Sequence, residues 1–208
     1  MGLFKTKQET YWEPYRDKSY NLIYNLLFCD NYSLYKTIPL FSRELDSSEF
    51  YSIVNDPKAE TRYRILAFNQ LRAKGKTVER QGLLGVIIEV GLPQGLDTLA
   101  VYQDHRCRYI NQFGKMLVWE ASNPKIDEEI NELLTVSQIA FLKIGLWEKN
   151  RLPPPQKGLI RVTFLGSDGI RFGQGPIDVL SKDSIGGPVI VRGVSLITAF
   201  TELAKKNK

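Results

Sequence analysis

From Ser19 the chain reads SYNLIYNLLF, where Tyr20, Ile23, Tyr24 and Leu27 recur at the spacing that stacks side chains on one face of a helix. Pro14 suits the first turn of that helix, since proline lacks the N–H that a first turn leaves unused. A second helix is predicted from about Ser48 to Asn55. It ends where Asp56 precedes Pro57, because a residue before proline is pushed out of the helical region. A third is predicted from about Lys58 to Lys74, with Gly75 as its stop.

At Leu83 the period changes. LLGVIIEV is a short apolar run rich in β-branched residues, and DTLAVY, CRYIN and KMLVWE repeat the pattern with turn residues between them. Consecutive antiparallel hairpins, four strands in a meander, are the economical arrangement. Asn123-Pro124 then supplies a helix cap and first turn. Asp127 and Glu128 sit near the positive end of the helix dipole, and Ile126, Ile130, Leu133, Leu134, Ser137 and Phe141 follow at helical spacing. This helix, about 124 to 143, is expected to cover one face of the sheet. The prolines of LPPP, residues 152 to 155, stiffen the return to two further strands, LIRVTFL and GIRFGQG, joined by GSDG. SIGGP reads as an irregular crossing before a final helix that opens at Ser195 and ends in AKKNK. Strands grouped in sequence, with helices between the groups, predict an α+β fold: N-terminal helices packed with an antiparallel meander sheet covered by helices. Residues 1–80 form the helical portion and 81–208 the sheet portion, the two expected to make one compact unit.

Composition supports a folded chain. Of 208 residues, 43% are hydrophobic, enough for a substantial core. No uninterrupted apolar run reaches the length of a membrane span, and MGLFKTKQETYWEP lacks the apolar stretch of a secretory signal, so no membrane span and a cytoplasmic location are expected. Cys29 and Cys107 are then expected as free, reduced thiols. Gly2 and Thr6 satisfy the short myristoylation pattern, which six residues meet often by chance. The formal charge is +5, and between residues 61 and 80 Arg62, Arg64, Arg72, Lys74, Lys76 and Arg80 face Glu79 alone, so that excess sits in one segment.

Candidate chemistry is thin. The sole histidine, His105, lies beside Asp104 in the turn QDHR, and one histidine with two distant cysteines does not make the usual zinc set. Asp97, Asp104 and Asp168 fall at strand ends or turns, where they could converge on a cation or line a pocket with His105, although aspartate is also the ordinary residue of such positions. No segment places a glycine loop between a strand and a helix as a phosphate cradle requires, and no G-x-S-x-G elbow occurs. No metal or cofactor is therefore expected, and no catalytic residue is assigned.

Two binding surfaces suggest themselves. The basic segment with Arg62, Arg64, Arg72 and Lys74 could meet nucleic-acid phosphates, yet at about 100° per residue those side chains point in different directions. The hairpin CRYINQFGKMLVWE places Cys107, Tyr109 and Asn111 on one face, Arg108 and Ile110 on the other, and Lys115, Leu117 and Trp119 together on the return strand. With helices on one side of the sheet only, Arg108, Tyr109, Lys115 and Trp119 would be partly open to a partner. RYINQFGKMLVWE, with GLDTLAVY before it and IRVTFLGSDGIRFGQGP after it, resembles an uncharacterised bacterial protein family over roughly residues 80 to 180. That resemblance implies a cytoplasmic bacterial protein and carries no activity or catalytic residue. The expectation is a non-catalytic adaptor, regulator or inhibitor that binds a protein partner. A small-ligand sensor or enzyme using scattered carboxylates is the alternative, and nucleic-acid binding through residues 62–80 is the second.

Overall fold

The computed structural model describes residues 10–78 and 82–206, so Glu79, Arg80 and the Gly2 to Thr6 pattern lie outside the described residues. The elements in order are α1 (Lys18–Leu27), α2 (Ser47–Asn55), α3 (Thr61–Ala73), β1 (Leu83–Leu92), β2 (Gly95–Tyr102), β3 (Cys107–Ile110), β4 (Met116–Trp119), α4 (Pro124–Lys143), β5 (Leu159–Gly166), β6 (Gly169–Pro176), α5 (Ile177–Leu180) and α6 (Gly186–Lys206). Short 3-10 turns at Tyr32–Tyr35 and Pro39–Phe41 link α1 to α2.

All six strands join one antiparallel sheet in the order β4-β3-β2-β1-β5-β6. The predicted four-strand meander is present, and α4 returns the chain so that β5 pairs with β1. The α+β class with an antiparallel sheet is therefore what this sequence builds.

Both faces of the sheet are covered, which corrects the expectation of one face left open. Leu84, Ile87, Leu96, Ala100, Tyr102, Ile110 and Leu165 pack under α1 to α3 with Tyr24, Leu27, Phe41, Phe50, Ile65 and Phe68. Val86, Ile88, Leu99, Val101, Cys107, Ile160, Val162 and Phe164 pack under α4 and α6 with Ile126, Ile130, Phe141, Leu196 and Phe200. An irregularity in β1 between Leu83 and Gly85 switches the alternation, so Leu83 faces the second core and Leu84 the first.

Several boundaries move for identifiable reasons. Pro14 lies ahead of α1, whose cap is Asp17 accepting from Ser19 N–H at 2.7 Å. α3 begins at Thr61, not Lys58, because Asp104 from the β2–β3 turn accepts from its first N–H at 2.8 Å. α6 starts at Gly186, not Ser195, so SIGGP enters the helix: Asp183 caps it by accepting from Ile185 and Gly186 N–H at 2.8 and 2.7 Å. Its stretch Gly186–Ala204 has the length and mean hydropathy of a membrane-crossing helix, and here Val189, Ile190, Leu196, Ala199 and Phe200 bury its inner face on the sheet.

Candidate functional site

The β3–β4 hairpin turns its expected recognition residues inward. Arg108 is 8% exposed, donates to the carbonyls of Cys107 and Trp119 at 2.9 and 3.3 Å, and pairs with Glu120. Tyr109 donates its hydroxyl to Asp97 at 2.7 Å, and burial raises that phenol's pKa. Trp119 packs its ring against Phe200 of α6, with centroids 5.7 Å apart. Lys115 is exposed, together with Phe113 at the tip and Val118 on the edge strand. Outer-face polarity thus survives at Lys115 alone among the four predicted residues.

The basic residues of α3 are engaged by the protein. Arg62 pairs with Glu60, Arg64 donates to the Val54 carbonyl at 3.4 Å, and Arg72 bridges the Ser167 carbonyl and Asn69. Burial pulls the Arg72 guanidinium down to about 10, the signature of a cation held away from water. Lys74 is exposed, yet its Nζ reaches the Leu45 carbonyl at 3.2 Å and sits over the Phe50 ring.

Of the predicted pocket residues, the structure brings together only Asp104 and His105. They line an open cleft of about 430 Å³ with Gln103, Arg106, Glu120 and Asp127. His105 adopts a left-handed φ of 61°, which closes the β2–β3 turn, and its ring reaches α4: Nδ1 lies 3.4 Å from Asp127 and Nε2 3.1 Å from Asn131. Hydrogen bonds from Ser122 Oγ and Asn123 N–H, followed by His105, hold the Asp127 carboxyl below its usual range. Asp104 is occupied by the α3 cap and by Arg106 at 2.8 Å. Asp97 accepts from Tyr109 and from Gln112 N–H at 2.6 Å, and Asp168 clamps Arg171 through two 2.8 Å contacts. Each aspartate fixes a turn or strand end, as its position in the sequence suggested. Among the described residues no three His, Cys, Asp or Glu side chains gather as a metal site would need.

Sequence reasoning missed a buried ionic cluster under α1. Glu89, fully buried in mid β1, lies opposite Arg161 of β5 in register, with Oε2 3.6 Å from the guanidinium. Tyr24 donates to Glu89 Oε1 at 2.7 Å, and burial raises the Glu89 pKa despite Arg161, Tyr24 and Arg151. Arg151 stacks 3.9 Å over the Phe28 ring, pairs with Asp30 at 3.0 Å and donates to Asn25 at 2.9 Å. Arg161 also donates to the carbonyls of Leu152 and Pro153 at 3.3 and 2.6 Å, so the proline segment straps the cluster shut. The available signal was one acid inside an eight-residue apolar run: such a residue is expensive to bury unless paired.

The outer faces of α4 and α6 expose aliphatic side chains. Ile139 and Leu142 of α4 are 53% and 64% exposed, and Val191 and Val194 of α6 are 57% and 59% exposed. The two helices run antiparallel, tied by Lys125–Glu202 and Glu132–Arg192, so the C-terminal part of α4 adjoins the N-terminal part of α6. No protein-family model, curated protein or solved structure matches this chain.

Proposed function

We propose that the chain is a non-catalytic protein that binds a macromolecular partner, with the outer face of α4 and α6 as its docking surface. The observation that carries this reading is the set Ile139, Leu142, Val191 and Val194, more than half exposed and at three-residue spacing on adjoining helices. Single exposed aliphatics are ordinary, whereas two exposed aliphatics a turn apart, repeated on neighbouring helices, mark a surface suited to contact. The partner is a protein, and the role is that of an adaptor, regulator or inhibitor in the cytoplasm. The test is copurification from the native host with Leu142→Glu and Val191→Glu as controls. A stoichiometric partner should be lost from both variants while melting stays unchanged. A chain that stays alone at every concentration, or a partner indifferent to both charges, overturns the reading.

A second reading has its own observation, the cleft where Asp104 and His105 meet Asp127. Its polar lining suits a small polar ligand. Calorimetric titration of metabolite pools against the wild type and His105→Gln would detect it.

A further inference from the structure

The β6 edge of the sheet is open. Its inner positions Gly169, Arg171, Gly173 and Gly175 alternate with Ile170, Phe172 and Gln174, whose backbone groups point away from β5. The direction is set by Ile170, whose carbonyl accepts from Trp147 N–H at 2.9 Å in a one-residue antiparallel bridge. Beyond that bridge, the outward N–H and C=O groups of Phe172 and Gln174 have no backbone partner among the described residues. Trp147 is thus the stub of a seventh strand that stops after one residue.

Proteins commonly blunt a sheet edge with charge, proline or brevity. β4, the opposite edge, is short at four residues. β6 has eight residues and, along the open part, bare glycines: a Cβ at Gly173 would meet nothing within 4 Å, and one at Gly175 only Leu180 at 4.0 Å. Flanking it are the Trp147–Phe172 ring pair, centroids 4.9 Å apart, and exposed Leu146 and Val179.

We propose that this edge accepts an extended segment of a protein partner. It runs antiparallel to β6 in line with Trp147, bonds to the backbone of Phe172 and Gln174, and lays large apolar side chains over Gly173 and Gly175. Backbone pairing supplies the affinity and the glycine floor the side-chain preference. The proposal extends the partner-binding reading to a second surface, and the two fail separately, because Leu142→Glu and Val191→Glu probe only the helical face.

The experiment is residue-resolved amide exchange on the full chain, alone and with peptides selected on it from a random dodecapeptide library. In the dilute free chain, Phe172 and Gln174 amides should exchange quickly while Arg171 and Gly173 are protected. Selected peptides should protect Phe172 and Gln174. Gly173→Lys, which adds a side chain where the structure has open space, should weaken peptide binding about tenfold or more with an unchanged melting curve. Slow exchange at both amides in the free chain overturns the proposal. So does a library that yields no peptide protecting them, or binding indifferent to Gly173→Lys. Protection that rises with protein concentration in the absence of peptide assigns the edge to a second copy and overturns it equally.

Discussion

Removing Glu89 would leave Arg161 buried without its cross-strand carboxylate. Breaking a buried pair from one side costs about 3–5 kcal/mol, so Glu89→Ala should lower the urea midpoint by that equivalent and Glu89→Gln by less. The pH dependence has a defined sign. Burial raises the folded-state pKa of Glu89, so the folded chain holds this proton more tightly than the unfolded chain. That contribution is fully present below the unfolded carboxylate pKa and is lost as pH rises through the folded one. Glu89→Gln should abolish this component in a stability profile taken upward from pH 4. At the hairpin, Trp119 packs on Phe200 and Lys115 is exposed. Trp119→Ala should cost about 3 kcal/mol, the low end for a large core aromatic because the ring is half-buried, and Lys115→Ala at most about 0.5 kcal/mol by thermal melting. The sequence could place these side chains on faces by alternation. It could not say that helices would cover both faces, α1 to α3 on one and α4 with α6 on the other, because that depends on segments far apart in the chain.

At the scale of elements, the strap between α4 and β5 depends on one glycine. A Cβ at Gly91 would fall 2.1 Å from the Gln156 carbonyl oxygen and 2.7 Å from that of Pro155, both rigid backbone atoms. Gly91→Ala should therefore displace residues 152–157, loosen the carbonyls that hold Arg161, and cost about 1–3 kcal/mol. Limited proteolysis would show new cleavage near Lys157. Strands, and helices with a cap in the sequence, were legible: Asn123 accepts from Lys125 and Ile126 N–H as its Asn-Pro pair implies. The start of α6 was not. Gly186 and Gly187 read as breakers, yet the helix needs Gly187 there, because a Cβ at that position would fall 2.7 Å from the Ser181 carbonyl oxygen. The constraint comes from the preceding turn folding back, which local propensity does not record.

The whole molecule is three layers that share one sheet, and that has a consequence for folding. Residues beyond Gly82 contain every strand found among the described residues and would pass, on secondary-structure content, for an independent unit. Yet the face that α1 to α3 cover buries Leu84, Ile87, Leu96, Ile110 and Leu165, besides Tyr102, whose hydroxyl donates to the Leu27 carbonyl at 2.7 Å. At roughly 1.5–3 kcal/mol for each fully buried aliphatic side chain, exposing these five forfeits on the order of 10 kcal/mol. Typical domain stability is about 5–15 kcal/mol. Glu89 would in addition lose the Tyr24 hydroxyl that caps it. A chain of residues 82–208 should therefore retain strand signal in far-ultraviolet dichroism while binding a hydrophobic dye, melting without cooperativity and associating on a sizing column. Adding a separate chain of residues 1–81 should restore a cooperative transition, because the missing surface is supplied in trans. A monomeric 82–208 chain with a sharp melt would show instead that the second core, under α4 and α6, holds the sheet by itself.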